Sequence, residues 1–206
     1  MICAIVLAAG RSERMGTQKL LLPLDGRRVI TRIVDELSLS QIDEIVVVIG
    51  KDGEQLRAAL VGKPVRFVEN LDAASEMLGS VRRGLRAMAS ACRAALVVLG
   101  DQPGLTRALV DELIRRLRSG ESTIVVPGCN GHRGHPVLFD SQYFAELLTR
   151  HDDEGLRGLL NAHPNEISTV PVADVTAMED MDTPADYERQ KKLFSKACYA
   201  ETGSPP

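Results

Sequence analysis

Apolar positions alternate between two patterns along this chain. Short apolar runs, Ile2–Ala8, 42–49, 65–68 and Ala94–Leu99, are rich in Val, Ile and Ala and are interrupted only by Asp43, Glu44 and Arg66. Runs of this length and composition predict strands covered on both faces. Between them apolar residues return every three or four positions. Val29, Ile30, Ile33, Val34 and Leu37 share one helical face, and so do Leu78, Val81, Leu85 and Met88. A short helix is predicted over 54–60. A longer one is predicted over 106–117, with Thr106 as N-cap and Gly120 close to its end.

The second half is less regular. Strands are predicted over 123–126, from Val137 to Phe139 and over 167–172, with helices over 141–149 and 154–162. The stretch 127–136 (PGCNGHRGHP) reads as a Gly- and His-rich loop. Thr183-Pro184-Ala185-Asp186 opens a last helix, with Thr as cap, Pro in the first position and Asp in the first turn. That helix is predicted to run to about Phe194, where the periodicity is lost. Strands alternating with helices imply right-handed βαβ crossovers and an open, mostly parallel sheet. The expectation is a single Rossmann-like α/β domain, three-layer α/β/α, over 1–194, with a frayed tail over 195–206.

Composition narrows the function classes. The 206 residues suffice for one well-buried domain. Aromatic residues are only 3% with no Trp, and net charge is −3 without a long basic run. Both argue against nucleic acid, which needs stacking faces or a cationic groove, and against an anionic membrane. The first apolar run is too short for a signal core or a membrane span, and no basic leader or A-x-A site accompanies it. Cys3, Cys92, Cys129 and Cys198 are scattered and form no C-x-x-C. Together these features predict a reducing, cytoplasmic setting.

The densest candidate chemistry follows the first strand. The run Gly10-Arg-Ser-Glu-Arg-Met-Gly16, then Lys19, joins backbone freedom at glycine to three cations. Such a loop suits an anion, and a triphosphate is the one expected. It is not a P-loop, because five residues separate the glycines and Thr17 follows. A G-x-G-x-x-G fingerprint is absent too. Asp101 ends a buried strand, where a carboxylate can hold a hard cation or brace the turn. Asp180 and Asp182 precede a helix, and can be dipole-stabilised charges or further cation ligands. Cys129, His132 and His135 are spaced like zinc ligands, but no fourth ligand is evident nearby.

Four segments in order carry a resemblance: L-A-A-G-x-S-x-R-M-G-x-x-K from Leu7 to Lys19, G-D-Q-P at Gly100, G-H-P-V at Gly134, and D-x-D-T-P at Asp180. From Leu7 to about Tyr187 the chain resembles the MobA-like NTP transferases, most closely the branch that acts on molybdenum cofactor. The resemblance implies transfer of CMP from CTP onto the phosphate of molybdopterin, with release of pyrophosphate. It implies Mg²⁺ as cofactor, with Mn²⁺ as a substitute, held by Asp101 and by Asp182 in preference to Asp180. Leu7, Ala8, Ala9, Gly10, Arg11 and Ser12, with Arg14 and Lys19, would line the nucleotide site; Arg14, Lys19 and Asp101 would act in catalysis. Asn70 and Ser80 match a nucleotide-wrapping segment, in which Glu76 stands where glycine is usual. His135 and Pro136 would touch the acceptor. An apo-molybdoenzyme would be the partner receiving the product.

Related guanylyltransferases typically read L-A-G-G, so the Ala9 methyl leans toward the smaller cytosine ring. GTP as donor, another phosphorylated acceptor, and a catalytically silent cofactor chaperone remain alternatives. An acceptor phosphate is already ionised at neutral pH, so such a transfer needs positioning and charge neutralisation rather than a general base.

Overall fold

A computed structural model describes residues 1–10, 12–51, 53–72, 76–173 and 175–202. The chain forms β1 (Ile2–Ala8), a small hairpin of β2 (Pro23–Leu24) and β3 (Arg27–Arg28), α1 (Val29–Leu39), β4 (Glu44–Ile49), α2 (Glu54–Ala59), β5 (Val65–Glu69), α3 (Met77–Ala87), β6 (Ala94–Leu99) and α4 (Arg107–Arg118). There follow β7 (Ile124–Cys129), β8 (His132–Arg133), β9 (Val137–Asp140), α5 (Phe144–Thr149), α6 (Leu156–Ala162), β10 (Ile167–Pro171) and α7 (Pro184–Thr202). The main sheet runs β10-β7-β9-β6-β1-β4-β5, with β8 paired to β7. Only β8 and β9 run antiparallel to their neighbours.

Period-2 alternation along β1 builds two cores. Ile2, Ala4, Val6 and Ala8 face one layer with Val29, Ile33 and Leu37 of α1, Leu56 of α2 and Val110 and Leu113 of α4. Ile5 faces the other, with Leu78 and Val81 of α3, Leu147 of α5 and Leu159 of α6. The three-layer α/β/α domain with its mostly parallel sheet is therefore the observed architecture. Helix α3 lies so close on β1 that a Cβ at Gly84 would stand 2.3 Å from Ile5 Cγ2. No helix among the described residues is long and apolar enough to cross a membrane.

Three expectations need correction. The loop expected over 127–136 carries on as β7 through Cys129 and turns back as β8, through Asn130 and Gly131 at φ 50° and 80°. Asn-Gly is the residue pair that such a two-residue turn requires, so the signal was present. Helix α7 continues past Phe194 to Thr202. Periodicity lapses there, yet no Gly or Pro occurs between Pro184 and Gly203, so nothing in the sequence breaks the helix. Finally, the reducing setting expected from the scattered cysteines does not agree with the state of Cys3 and Cys92. They are joined as a cystine, with Cα atoms 6.1 Å apart. They are 89 residues apart in the chain, and only the adjacency of β1 and β6 brings them together.

Candidate active site

The sheet order brings the chemistry to one rim. Because β1 pairs in parallel with both β4 and β6, the loops leaving β1 and β6 emerge side by side at the carboxyl edge. Gly100 N donates to Leu7 O at 3.0 Å, and a Cβ at Gly100 would stand 2.7 Å from that oxygen. Glycine at the head of G-D-Q-P thus permits the contact that sets Asp101 beside the first loop.

That loop is braced from within. Ser12, at φ 52°, accepts the Lys19 N–H at 3.2 Å and donates to Gln18 Oε1 at 3.0 Å. Its carbonyl accepts Met15 N at 3.0 Å, closing the short 3₁₀ turn Glu13–Met15. Leu20 anchors a second such turn, Lys19–Leu21, in the core. Lys19 is therefore aimed by backbone on one side and by a buried leucine on the other.

Lys19 is the hub. Its ammonium donates to Asp101 Oδ2 and, at 2.7 Å, to Asp182 Oδ1. Arg14, 71% exposed, donates to Asp182 Oδ2 at 2.8 Å. Burial works against the Lys19 charge, but the hydrogen bonds and charges of Asp101 and Asp182 outweigh it and hold the ammonium above the usual lysine range. The Lys19 hydrogen bond likewise holds the Asp182 carboxyl below the usual carboxylate range. Two carboxylate oxygens from distant segments thus converge on a point already occupied by positive charge. Oxygen donors in that arrangement suit a hard divalent cation, so Asp101 and Asp182 fit the metal expected of them.

Asp182 arrives through the D-x-D-T-P segment. Thr183 Oγ1 accepts Asp186 N at 3.2 Å, while Asp186 Oδ2 accepts Thr183 N at 2.8 Å, a reciprocal cap that fixes the start of α7. Asp180 faces elsewhere and accepts from Gln102 Nε2 at 2.8 Å. The contact made by Gln102 had no distinguishing signal in the sequence, since it depends on a partner 78 positions away.

The remaining expected residues distribute as follows. Leu7 and Ala8 end β1, Ala8 with its side chain in the core, and Ala9 and Gly10 lead out onto the rim. Arg11 lies outside the described residues, as do Ala73–Ser75 of the nucleotide-wrapping segment. Asn70 and Ser80 come together at the ends of β5 and α3, Asn70 Nδ2 donating to Ser80 Oγ at 2.9 Å. His135 sits beside buried Pro136, and its Nε2 has no hydrogen-bond partner among the described residues. Burial pushes its pKa down to about 4, against the pull of Asp101, so the ring is neutral at pH 7. Cys129, His132 and His135 do not gather. The one Cys/His/Asp/Glu trio among the described residues whose ligand atoms do lie close together is Cys3, Glu44 and Cys92, at the far end of the sheet, and there the two sulfurs are joined as the cystine.

A mostly parallel sheet with a cationic loop and an acidic pair at its carboxyl rim is the kind of site that suits a nucleoside triphosphate with a divalent ion. The chain belongs to the MobA-like NTP transferase family, whose model matches residues 4–167. It is 31% identical over 189 residues to nicotine blue oxidoreductase of Paenarthrobacter nicotinovorans, a match covering 88% of this chain and 92% of that protein. A nucleotidyl transferase from Methanothermobacter superposes with a TM-score of 0.81 at 26% identity, over 96% of this chain and 99% of the other. Rv0371c of Mycobacterium tuberculosis, in a complex with manganese, superposes with a TM-score of 0.79 at 27% identity, over 93% and 98%.

Proposed function

We propose that this protein transfers CMP from CTP onto the terminal phosphate of a molybdopterin-type acceptor, releasing pyrophosphate with a divalent metal, Mg²⁺, as cofactor. The observation that carries this reading is the Lys19–Asp101–Asp182–Arg14 cluster at the sheet rim. Arg14 and Lys19 would neutralise the β- and γ-phosphates and hold the leaving pyrophosphate. Asp101 and Asp182, once Lys19 turns to phosphate, would hold the metal, which when bound neutralises charge between donor and acceptor. Neutral His135, with Nε2 unpartnered, would hydrogen-bond the acceptor without adding charge. The manganese in the mycobacterial neighbour supports use of a divalent ion.

Calorimetry with CTP, GTP, ATP and UTP, with and without Mg²⁺, followed by pyrophosphate release in the presence of molybdopterin, tests the reading. Metal-dependent CTP preference with turnover is expected. Preference for GTP would transfer the assignment to guanylyl transfer. No pyrophosphate from any of the four nucleotides would overturn it in favour of a silent cofactor carrier.

A further inference from the structure

The two carboxylates that face Lys19 come from segments about eighty residues apart, and something must hold those segments in register. Three hydrogen bonds do so. Gln102 Nε2 donates to Met178 O at 3.0 Å and to Asp180 Oδ1 at 2.8 Å, and Met181 N donates to Asp101 O at 3.0 Å. Gln102 is 3% exposed and Met181 fully buried, so water cannot replace these bonds readily. Both partners of the amide are acceptors, which fixes its orientation and uses both of its N–H donors. The next residues tighten the contact. A Cβ at Gly104 would stand 2.3 Å from Thr176 O, so the two segments lie backbone to backbone.

We propose that Gln102, acting through Asp180, is the positioning residue that sets Asp182 opposite Asp101. This rests on the reading of that pair as the metal cradle. In D-x-D-T-P the two acids then divide the work: Asp180 fastens the segment to the G-D-Q-P turn, and Asp182 presents its oxygens to the cation. A leucine at 102 fills the same volume but offers neither donor. Asn at 180 still offers an acceptor oxygen, whereas Ala does not. The role is therefore one of hydrogen bonding, separable from packing and from charge.

The test is Mn²⁺ binding, followed by electron paramagnetic resonance in the presence of a non-hydrolysable CTP analogue, with metal-free analogue affinity measured in parallel. Gln102→Leu and Asp180→Ala should each weaken Mn²⁺ on the order of 10- to 100-fold, as loss of the groups that orient metal ligands does elsewhere. Metal-free affinity for the analogue should stay within about 3-fold, since 10-fold marks the least effect expected on the metal. Asp180→Asn should recover most of the metal affinity, and Gln102→Leu/Asp180→Ala together should be no worse than Gln102→Leu alone, because that single variant has already lost the Gln102–Asp180 bond along with the bond to Met178 O. A folded Gln102→Leu that titrates Mn²⁺ like the wild type would overturn the proposal. So would an Asp180→Asn as defective as Asp180→Ala. Should Gln102→Leu fail to fold, the two Asp180 variants decide it alone. A wild type that binds no Mn²⁺ sinks the cradle itself, and the proposal with it, a result distinguishable from failure of the positioning role.

Discussion

Strand β1 is tied to its neighbours in opposite ways at its two ends. At the carboxyl end, charge does it: Lys19 spans Asp101 and Asp182, bonds that on the proposed reading give way to phosphate and metal. At the amino end, the Cys3–Cys92 cystine fastens β1 to the chain entering β6, beside Glu44, whose Oε2 accepts Ala89 N at 2.9 Å and whose Oε1 pairs with Arg66. One tie is reversible and partly open to solvent; the other is covalent and buried. The contrast is that of a ligand site and its scaffold, and it predicts that mutations at the two ends separate activity from stability.

The largest effect is expected at the charged end. Lys19→Met or Asp101→Ala should each reduce pyrophosphate release on the order of 10³-fold, since on the proposed reading Lys19 neutralises phosphate charge and Asp101 holds the metal that does the same. The melting curve should shift only modestly, because the groups sit at a solvent-facing rim. Turnover near the wild-type rate in either variant would remove that residue from the reaction.

Cys3→Ser, or reduction of the wild type, should do the reverse. Releasing a crosslink that spans 89 residues costs about 4.6 kcal/mol on the chain-entropy account. Chemical denaturation should register that loss while kcat holds. An unchanged unfolding midpoint, or free thiols at both positions by mass spectrometry of the native protein, would mean that the amino end is held by packing alone.

These two ends also differ in how far the sequence reveals them. Strands β1 and β6 are legible because parallel strands buried on both faces must be continuous apolar runs. Asp101 is legible because it comes just after one such run, and Lys19 because it closes the Gly-bounded cationic loop that follows the other. The cystine is not, since cysteine spacing says nothing of pairing until strand order is known. The Gln102–Asp180 bond is hidden for the same reason: the sequence contains two ordinary polar residues, and only the tertiary fold brings them together. The β7–β8 turn belongs to a third kind, signalled by Asn130-Gly131 but masked by the glycines and prolines around it.

A smaller effect separates His135 from the charged cluster near it. Its pKa is lowered to about 4 in the folded chain, whereas an unfolded histidine titrates near 6.5. Between those values the unfolded chain binds the proton first, so His135 contributes stability above about pH 6.5 that is lost as pH falls toward 4. By linkage the loss is roughly 3 kcal/mol. His135→Phe should flatten the stability profile between pH 4 and 6.5. A slope identical to that of the wild type would show that the ring is solvated and that other groups set the acid limit.

The smallest expected effect lies at Ala9, where base choice is in question. The Ala9 backbone is hemmed in, since a Cβ at Gly50 would stand 2.9 Å from Ala9 O, and Asn70 N bonds to Ile49 O at 2.9 Å just below. Removing the Ala9 methyl therefore leaves the main chain close to its present path and opens room only where the side chain stood. A single methyl discriminates by about 1–3 kcal/mol, so Ala9→Gly should raise GTP use relative to CTP roughly tenfold in the ratio of kcat/KM. The scaffold end should not register the change at all, and the unfolding midpoint should move only by the small backbone entropy of a new glycine. An unaltered nucleotide ratio would shift base reading away from the β1 loop. It would then fall to the segment after β5, where Asn70 is already bonded to Ser80.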